Sequence, residues 1–303
     1  MRLLLTGITG FVGQNLMPMI IREVPEVEIL TLNIPSDLEK ATAMYPYPNC
    51  RHILTSEFDE VVKFNPEVVM HLATVTTARN DTEIIKPMLA ANIEFGVLLL
   101  DALTQCDALK LFVNTGSFAE YRYGPSSIND AYLYAATKSA YRHFIDYYSQ
   151  LREFKFITVV PYSIYGGKPT VKRLMDYIVE AMDAEEPVDM TAGEQILDFT
   201  HVNDLAGFYV HIIKNLDMFL SLNNGEEFHI GTGKGISIRE LVAIVEQVYG
   251  RKCNIRWGGR PYRERDTMHA VAPIGKNLAL VNWRAQISVE QGVMMMKEGQ
   301  YAK

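Results

Sequence analysis

The sequence is poor in cysteine and in metal-ligand patterns. Its three cysteines, Cys50, Cys106 and Cys253, are far apart in the chain and show no C-x-x-C spacing. Free thiols in a reducing compartment are therefore expected rather than disulfides. The seven histidines show none of the spacings that bind a structural or catalytic metal ion. The sequence thus predicts a protein without a metal site.

Positive charge and long apolar runs are also scarce. The 29 lysines and arginines are outnumbered by 36 aspartates and glutamates, so the net charge is −7 with neutral histidines. This balance disfavours a nucleic-acid partner. No apolar run has the length of a membrane span, and the run near the N-terminus is too short for a signal peptide. We therefore expect a cytoplasmic protein that binds neither a membrane nor nucleic acid.

The chain does contain an alternation of strand and helix patterns. Short apolar runs predict buried strands, and segments with helical spacing lie between several of them. The predicted strands are 2–6, 27–32, 68–72, 109–113 and 156–160, and the predicted helices are 11–22, 84–103 and 131–150. Near-continuous apolar strands with intervening helices indicate an α/β fold, a doubly wound parallel sheet covered on both faces.

This rhythm changes after about residue 165. The segment Gly166-Gly167-Lys168-Pro169 interrupts the chain, and the loops that follow are rich in glycine and charge. Further helices are predicted at 171–182 and 239–249. We interpret residues 1–165 as one domain, to which segments near 195–215 return. Residues 166–303 are interpreted as mainly a smaller lobe on the edge of the sheet.

A glycine-rich loop joins the first predicted strand to the first predicted helix, with the spacing G-x-x-G-x-x-G. Glycine permits a tight turn and lets a pyrophosphate approach the backbone. The N-terminus of the following helix offers free N–H groups and the positive end of a dipole. In this strand–loop–helix setting the pattern predicts a dinucleotide site. The expected contacts are Gly7, Thr9, Gly10, Phe11, Val12 and Gly13.

The end of the second strand commonly selects between NAD and NADP. Asn33 occupies this place and is neither acidic nor basic. It can bond a ribose hydroxyl without repelling a phosphate, so both coenzymes remain open. A plain turn role for Asn33 is an equal alternative.

Tyr134 and Lys138 are four positions apart in a strongly helical segment, so they share one helix face. A lysine ammonium beside a phenol favours the phenolate and is expected to lower its pKa from about 10, which would let Tyr134 transfer a proton at neutral pH. Ser117 follows the predicted strand 109–113, and doubly wound sheets bind ligands at the carboxyl ends of their strands. With the glycine loop, these residues predict a catalytic set in which Ser117 hydrogen-bonds the reacting oxygen.

These motifs make the whole chain resemble the extended short-chain dehydrogenase/reductase family, of the nucleotide-sugar type. The likeness continues in segments 71–73, 161–166 and 193–204. Within the family, segments 114–118, 193–195 and 231–235 resemble the CDP-abequose synthase group, which reduces nucleotide-linked 4-keto-6-deoxyhexoses. The resemblance implies a Rossmann-type dinucleotide-binding domain for residues 1–165 and a substrate-binding lobe for residues 166–303.

The resemblance also implies further site residues. Besides Tyr134 and Lys138, the implied contacts of the NAD or NADP coenzyme are Leu72, Ala73, Thr115, Pro161, Ser163 and Ile164. The implied contacts of the nucleotide-sugar substrate are Thr74, Ser117, Phe118 and Arg263, the last resembling a basic site for the sugar-nucleotide pyrophosphate. Lys172 and Arg173, by contrast, are interpreted as a solvated helix face.

Two positions depart from the family pattern. Leu197 stands where the G-x-Q-x-R-D-F signature has arginine, and Val160 replaces another common arginine, so the substrate contacts must differ from those of typical members. In this family, helices such as 84–103 and 131–150 pair across a two-fold axis. A homodimer through a four-helix bundle is therefore expected.

The resemblance leaves three functions. The family's sugar dehydratases carry an Asp-Glu pair after the catalytic serine or threonine, whereas Phe118 and Ala119 follow Ser117 here, and Glu120 is expected to point elsewhere. The favoured prediction is an NAD(P)H-dependent reductase that adds hydride to C4 of a nucleotide-linked 4-keto-(6-deoxy)sugar, with Tyr134 as proton donor. An NAD-dependent nucleotide-sugar 4-epimerase is the main alternative, and a non-catalytic dinucleotide-binding sensor is a further one.

Overall fold

The computed structural model of the chain describes residues 1–167 and 171–299. Its strands are β1 (Arg2–Thr6), β2 (Glu28–Asn33), β3 (Cys50–Leu54), β4 (Val68–His71), β5 (Leu111–Thr115), β6 (Lys155–Pro161), β7 (Ser163–Tyr165), β8 (Val188–Met190), β9 (Ile196–His201), β10 (Glu226–Ile230), β11 (Gly235–Ser237), β12 (Ile255–Trp257) and β13 (His269–Ala270). Its α-helices are α1 (Phe11–Glu23), α2 (Pro35–Met44), α3 (Phe58–Phe64), α4 (Thr82–Leu89), α5 (Phe95–Leu103), α6 (Leu133–Arg152), α7 (Leu174–Glu180), α8 (Val202–Lys214), α9 (Leu216–Leu220), α10 (Ile238–Tyr249), α11 (Gly275–Val281) and α12 (Val289–Lys297). Lys168 and Pro169 of the predicted chain break lie outside the described residues.

The central sheet has seven strands in the order β10-β6-β5-β4-β1-β2-β3, and all neighbouring strands run parallel. The chain moves outward in one direction from β1 to β3 and in the other from β4 to β10. In such sheets ligands bind at the carboxyl ends of the strands, where the order reverses. The predicted α/β fold with a doubly wound parallel sheet is confirmed.

Neighbouring residues of β1 serve opposite faces of the sheet, as the strand period requires. Leu3 and Leu5 are fully buried in a core that includes side chains of α1 and α8. Leu4 is fully buried in a second core, formed with side chains of α5 and α6. Burial on both faces explains the near-continuous apolar strands.

The segment of the predicted helix 84–103 is helical throughout, but it contains a π-turn that was not predicted. The structure has α4, then a π-helical turn at Ala90–Glu94, then α5. A π-turn widens the helix by one residue and is frequent at functional sites. The π-turn carries Asn92, which is buried and accepts hydrogen bonds from the loop after β4. These contacts account for the local change in helix geometry.

The C-terminal part contains small sheets and its own apolar core. β9 pairs with β7, β11 and β13, and β8 pairs with β12. Side chains of α7, α10 and α12 share one core. The chain also returns to the large sheet, because α8 packs with α1 and β10 forms an edge strand. The boundary near residue 165 stays a prediction.

The helix predicted at 171–182 is shorter in the structure, since α7 spans Leu174–Glu180 and Arg173 is its N-cap residue.

Within residues 1–167 and 171–299, no helix combines the length and the apolar character that crossing a bilayer requires.

Candidate active site

The glycine loop closes tightly between β1, α1 and β4. Gly7 has φ +72°, and a Cβ there would lie 2.7 Å from the backbone nitrogen of Ala73. A Cβ on Gly13 would lie 2.4 Å from the carbonyl oxygen of Gly7. Gly10 is the N-cap residue of α1 and has no side chain to cap it, so the first N–H groups of the helix can serve an outside anion. This backbone cradle fits a dinucleotide pyrophosphate, with Thr9 in the loop and Phe11 and Val12 in the first turn.

Thr6 fixes this loop against the end of β4. Its hydroxyl oxygen accepts hydrogen bonds from the backbone nitrogens of Leu72 (3.1 Å) and Ala73 (3.0 Å). Its proton is therefore free to go to Nδ1 of His71, 3.1 Å away. Burial lowers the pKa of His71 to about 3, so the ring is a neutral acceptor. Thr6 was not among the predicted site residues.

Asn33 lies at the end of β2, as predicted, and is buried. Its amide nitrogen donates to the Thr31 carbonyl (3.2 Å), the Thr31 hydroxyl (2.8 Å) and the Ile53 carbonyl (3.3 Å). Only its oxygen remains as an acceptor for a ribose hydroxyl. An acid missed by the sequence analysis lies nearby: Asp37 accepts a hydrogen bond from the Thr9 hydroxyl at 2.6 Å.

Ser117, Tyr134 and Lys138 meet at the carboxyl edge of the sheet. Ser117 follows β5, and the other two lie in the first turns of α6, where Nζ of Lys138 is 5.9 Å from the centroid of the Tyr134 ring. All three side chains are buried. The structure thus brings the predicted catalytic residues together.

The predicted direction of the Tyr134 shift is wrong. Burial raises the pKa of Tyr134 to about 12, although side-chain hydrogen bonding with Thr76 and Ser117 lowers it. Burial also lowers the pKa of Lys138 to about 8. The cation does not dominate, because both groups are desolvated and each is pushed toward its neutral form.

The π-turn residue Asn92 joins this set to the loop after β4. Its side-chain oxygen accepts from the Thr74 hydroxyl (3.0 Å) and the Val75 backbone nitrogen (2.7 Å). Its nitrogen donates to the Val75 carbonyl (3.1 Å) and to the Thr137 hydroxyl (2.9 Å). Thr137 lies between Tyr134 and Lys138, so Asn92 ties the catalytic helix to the loop.

The remaining predicted coenzyme contacts lie at the same edge. Leu72 and Ala73 follow β4, Thr115 ends β5, Pro161 ends β6, and Ser163 and Ile164 belong to β7. The Thr115 hydroxyl is 2.6 Å from the Tyr209 hydroxyl of α8, which packs this helix against the site.

A cavity of about 480 Å³ is lined by sequence neighbours of this set. Phe118 follows Ser117, and Tyr132 lies two residues before Tyr134. Other lining residues are Leu174, Tyr177, Val188, Asp189, Met190, Thr191, Gln195, Leu197, Ile238, Arg260, Pro261, Arg263, Asp266 and Thr267. Phe118 and Arg263 therefore lie where a substrate contact was predicted. The fourth predicted substrate contact, Thr74, instead donates its hydroxyl to Asn92.

Charged side chains converge on this region. The Tyr132 hydroxyl donates to Asp266 (2.7 Å), and the Arg263 guanidinium lies 5.9 Å from the Tyr132 ring. Arg173 was expected on a solvated face, but its guanidinium lies 4.2 Å from the centroid of the Phe11 ring. Its Nε is buried without a hydrogen-bond partner among the described residues. The solvated-face interpretation is thus wrong for Arg173, while Lys172 is exposed and pairs with Glu180.

The fold and this constellation define an α/β enzyme that binds a nicotinamide dinucleotide. Residues 3–231 match the model of the NAD dependent epimerase/dehydratase family. The chain belongs to this family, and its predicted extended short-chain dehydrogenase/reductase type is confirmed.

Relatives with assigned activities cover nearly all of the chain. It is 25% identical to CDP-abequose synthase of Yersinia pseudotuberculosis, over 88% of this chain and 91% of that one. It is 26% identical to CDP-abequose synthase of Salmonella muenchen, over 97% and 96%. The predicted likeness to that group is confirmed.

Solved structures show the same fold. UDP-glucuronic acid 4-epimerase from Bacillus cereus, in complex with UDP-glucuronic acid and NAD, superposes with a TM-score of 0.84 at 18% identity, covering 97% of this chain and 96% of that one. UDP-glucose 4-epimerase from Thermus thermophilus, in complex with NAD, gives 0.79 at 20% identity, covering 98% of each chain.

Proposed function

We propose that the protein is an NAD(P)H-dependent reductase of a nucleotide-linked 4-keto-6-deoxysugar. The observation that carries this proposal is the meeting of Ser117, Tyr134 and Lys138 near the glycine loop, together with a cavity lined by apolar side chains, two arginines and two aspartates. The likeness to CDP-abequose synthases supports it. Phe118 and Ala119 after Ser117 can transfer no proton, which argues against a dehydratase.

In this proposal Tyr134 holds the proton that the sugar oxygen receives at C4. Its pKa of about 12 keeps the phenol protonated at neutral pH, as a donor requires. Ser117 donates a hydrogen bond to the carbonyl oxygen and orients it toward the phenol. Lys138, as a cation, stabilises the phenolate left after transfer and anchors the coenzyme ribose. The coenzyme, when bound, supplies the hydride for C4.

The cavity supports a deoxysugar diphosphate. Phe118, Leu174 and Leu197 give the cavity an apolar surface. The methyl group of a 6-deoxysugar fits such a surface better than the carboxylate of a sugar acid does. Arg260 and Arg263 lie in the same cavity, and guanidinium groups bind phosphate oxygens through paired donors. We propose that Arg263 takes this role, since the signature arginine is replaced by Leu197.

For the coenzyme, the charges near the adenosine end favour NADH. Asp37 is hydrogen-bonded to Thr9 of the glycine loop, and its carboxylate would repel a 2′-phosphate. Asn33 offers only an acceptor, which suits a ribose hydroxyl. No lysine or arginine occurs between Asn33 and Glu39.

A nucleotide-sugar 4-epimerase would use the same three residues, and the structural likeness to 4-epimerases supports this alternative. The two functions differ in coenzyme use, since a reductase consumes its coenzyme and an epimerase regenerates it. A non-catalytic sensor is disfavoured because Tyr134 and Lys138 are both present and close together.

The deciding experiment offers purified protein a panel of nucleotide-linked 4-keto-6-deoxysugars with NADH or NADPH. We expect loss of absorbance at the nicotinamide band, fastest with NADH, and a 4-hydroxy sugar product. Interconversion of two 4-hydroxy sugars without added coenzyme would instead establish the epimerase. Binding of coenzyme with neither reaction would establish the sensor.

We also propose a homodimer. Apolar side chains of α4, α5 and α6 point to solvent, among them Ile85, Leu89, Leu98, Phe144, Tyr147 and Leu151. Two copies of this surface would bury it in a four-helix bundle. Sedimentation as a monomer at micromolar concentration would exclude this assembly.

A further inference from the structure

A buried ionic cluster adjoins the backbone of Ser117. Glu120 is fully buried, and its Oε2 accepts a hydrogen bond from Nε of Arg142 at 2.8 Å. The same guanidinium also pairs with Glu227 of β10. The Arg142 side chain is only 11% exposed, so the cluster is a built feature of the interior and not a solvated ion pair.

Ser117 is held by hydrogen bonds with Glu120 and with Ala119. Oε1 of Glu120 accepts a hydrogen bond from the backbone nitrogen of Ser117 at 2.6 Å. The Ser117 hydroxyl oxygen in turn accepts from the backbone nitrogen of Ala119 at 3.2 Å. This capping box begins a short 3₁₀ turn at Phe118–Glu120. The backbone contact fixes Ser117, and the hydroxyl oxygen is held as an acceptor, so its proton stays available for another group.

Gly116 makes this approach possible. A Cβ at Gly116 would lie 2.6 Å from Oε1 of Glu120 and 2.9 Å from Nη2 of Arg142. The Glu120 carboxylate and the Arg142 guanidinium therefore press against the backbone beside Ser117. A side chain at residue 116 would push both groups away from it.

Glu120 also contacts the catalytic helix, because its Oε2 accepts a hydrogen bond from the hydroxyl of Ser139, the residue after Lys138, at 3.3 Å. We propose that Glu120, held by Arg142, is a positioning residue that aims the Ser117 hydroxyl and acts on Tyr134 and Lys138 through its negative charge. This inference rests on the proposed catalytic role of Ser117, Tyr134 and Lys138. In this role the Glu120 carboxylate does not touch substrate. It orients Ser117 and changes the pKa of Tyr134 and Lys138.

The groups around Tyr134 and Lys138 determine in which direction Glu120 shifts the pKa of each. Tyr134 is faced by Ser117, Thr76, Glu120 and Arg173, and Glu120 raises its pKa. Lys138 is faced by Glu120, which raises its pKa, by Arg142, which lowers it, and by His71. Burial raises the pKa of Glu120, but Arg142 and the hydrogen bond from the Ser117 nitrogen lower it and favour the charged carboxylate. Removing the Glu120 charge should therefore lower the pKa of both Tyr134 and Lys138.

Two substitutions of Glu120 separate the effect of its charge from the effect of its side-chain length. Glu120→Gln keeps an acceptor for the Ser117 nitrogen but removes the charge, whereas Glu120→Asp keeps the charge but shortens the side chain. We expect both to lower kcat by about tenfold or more, because small displacements of a catalytic group are costly, with KM within about twofold. Only Glu120→Gln should move the alkaline limb of kcat, which follows Lys138 at about 8, to lower pH.

The matched control is Glu227→Gln. It also removes one negative charge that pairs with Arg142, but Glu227 makes no hydrogen bond with Ser117 among the described residues. Both Gln variants should lower thermal stability, but Glu227→Gln should leave the alkaline limb in place. A limb that stays fixed in Glu120→Gln, or that moves equally in both variants, would overturn the proposal.

A measurement without substrate separates this proposal from the proposed function. The ammonium nitrogen of Lys138 is titrated by NMR in ¹⁵N-lysine protein and assigned with Lys138→Met. We expect its pKa to fall in Glu120→Gln and to stay in Glu227→Gln, whether or not the wild-type protein reduces a sugar. If activity is present but this titration is unchanged, the charge effect is refuted and the proposed function stands.

Discussion

The two halves of the site are built from different materials. The proposed coenzyme side consists mainly of backbone: the turn at Gly7, the N-terminus of α1 with Gly13 in its first turn, and the Thr6 link to the end of β4. The substrate side consists of side chains from distant parts of the chain, such as Phe118, Leu197 and Arg263. A site built from backbone requires glycines at fixed spacing, so it can be recognised in the sequence. A cavity lined by side chains has no such fixed spacing, because each substitution can change its chemistry separately.

This difference explains where the comparisons agree and where they divide. The family model ends at residue 231, before Arg260 and Arg263. The structures with a similar fold are only 18–20% identical to this chain. The family match thus covers the whole proposed coenzyme half but only part of the cavity, since it includes Phe118 and Leu197 and excludes Arg263.

The largest expected effect lies at the junction of the two halves. Tyr134→Phe removes the proposed proton donor and should lower kcat by about 10²- to 10⁴-fold, with little change in either KM. Initial rates of coenzyme oxidation measure this loss. The matched control is Tyr132→Phe, which removes a hydroxyl that donates to Asp266 and should mainly raise the KM for the sugar nucleotide. Equal losses of kcat in both variants would contradict the assignment of Tyr134.

On the coenzyme side, Gly13→Ala should act through the backbone. Its Cβ would lie 2.4 Å from the Gly7 oxygen and 2.4 Å from the Ile8 Cα, so the loop must shift. Overpacking of this kind costs about 1–3 kcal/mol of stability, and the melting temperature and coenzyme affinity should fall together. Gly207→Ala in α8 is the control, since its Cβ meets nothing within 4 Å and alanine is favoured in helices by up to about 1 kcal/mol. A Gly13→Ala protein that binds coenzyme normally would show that the close approach is not needed.

The sequence predicted the parts of the site that depend on local rules. The strand–glycine–helix order and the i,i+4 spacing of Tyr134 and Lys138 were sufficient, because both follow from the geometry of a single element. The pKa direction of Tyr134 was wrong, since it depends on burial by the whole fold. Asn92 was missed because a π-turn leaves no periodic signal, and Arg173 was assigned wrongly to a solvated face because its contact with Phe11 depends on the whole fold.

The smallest expected effect tests the substrate side. Arg263 is about half exposed, and its guanidinium lies 3.7 Å from Asp266, so water screens its charge. Arg263→Gln should raise the KM for the nucleotide sugar by about tenfold, near 1.4 kcal/mol, while the KM for the coenzyme stays unchanged. Arg265→Gln is the matched control, because Arg265 donates to the Asp130 carbonyl at 2.6 Å and is not among the residues that line the cavity. If Arg263→Gln instead raised the KM for the coenzyme, the two halves would share this arginine, and the separation between a backbone cradle and a side-chain cavity would fail at that point.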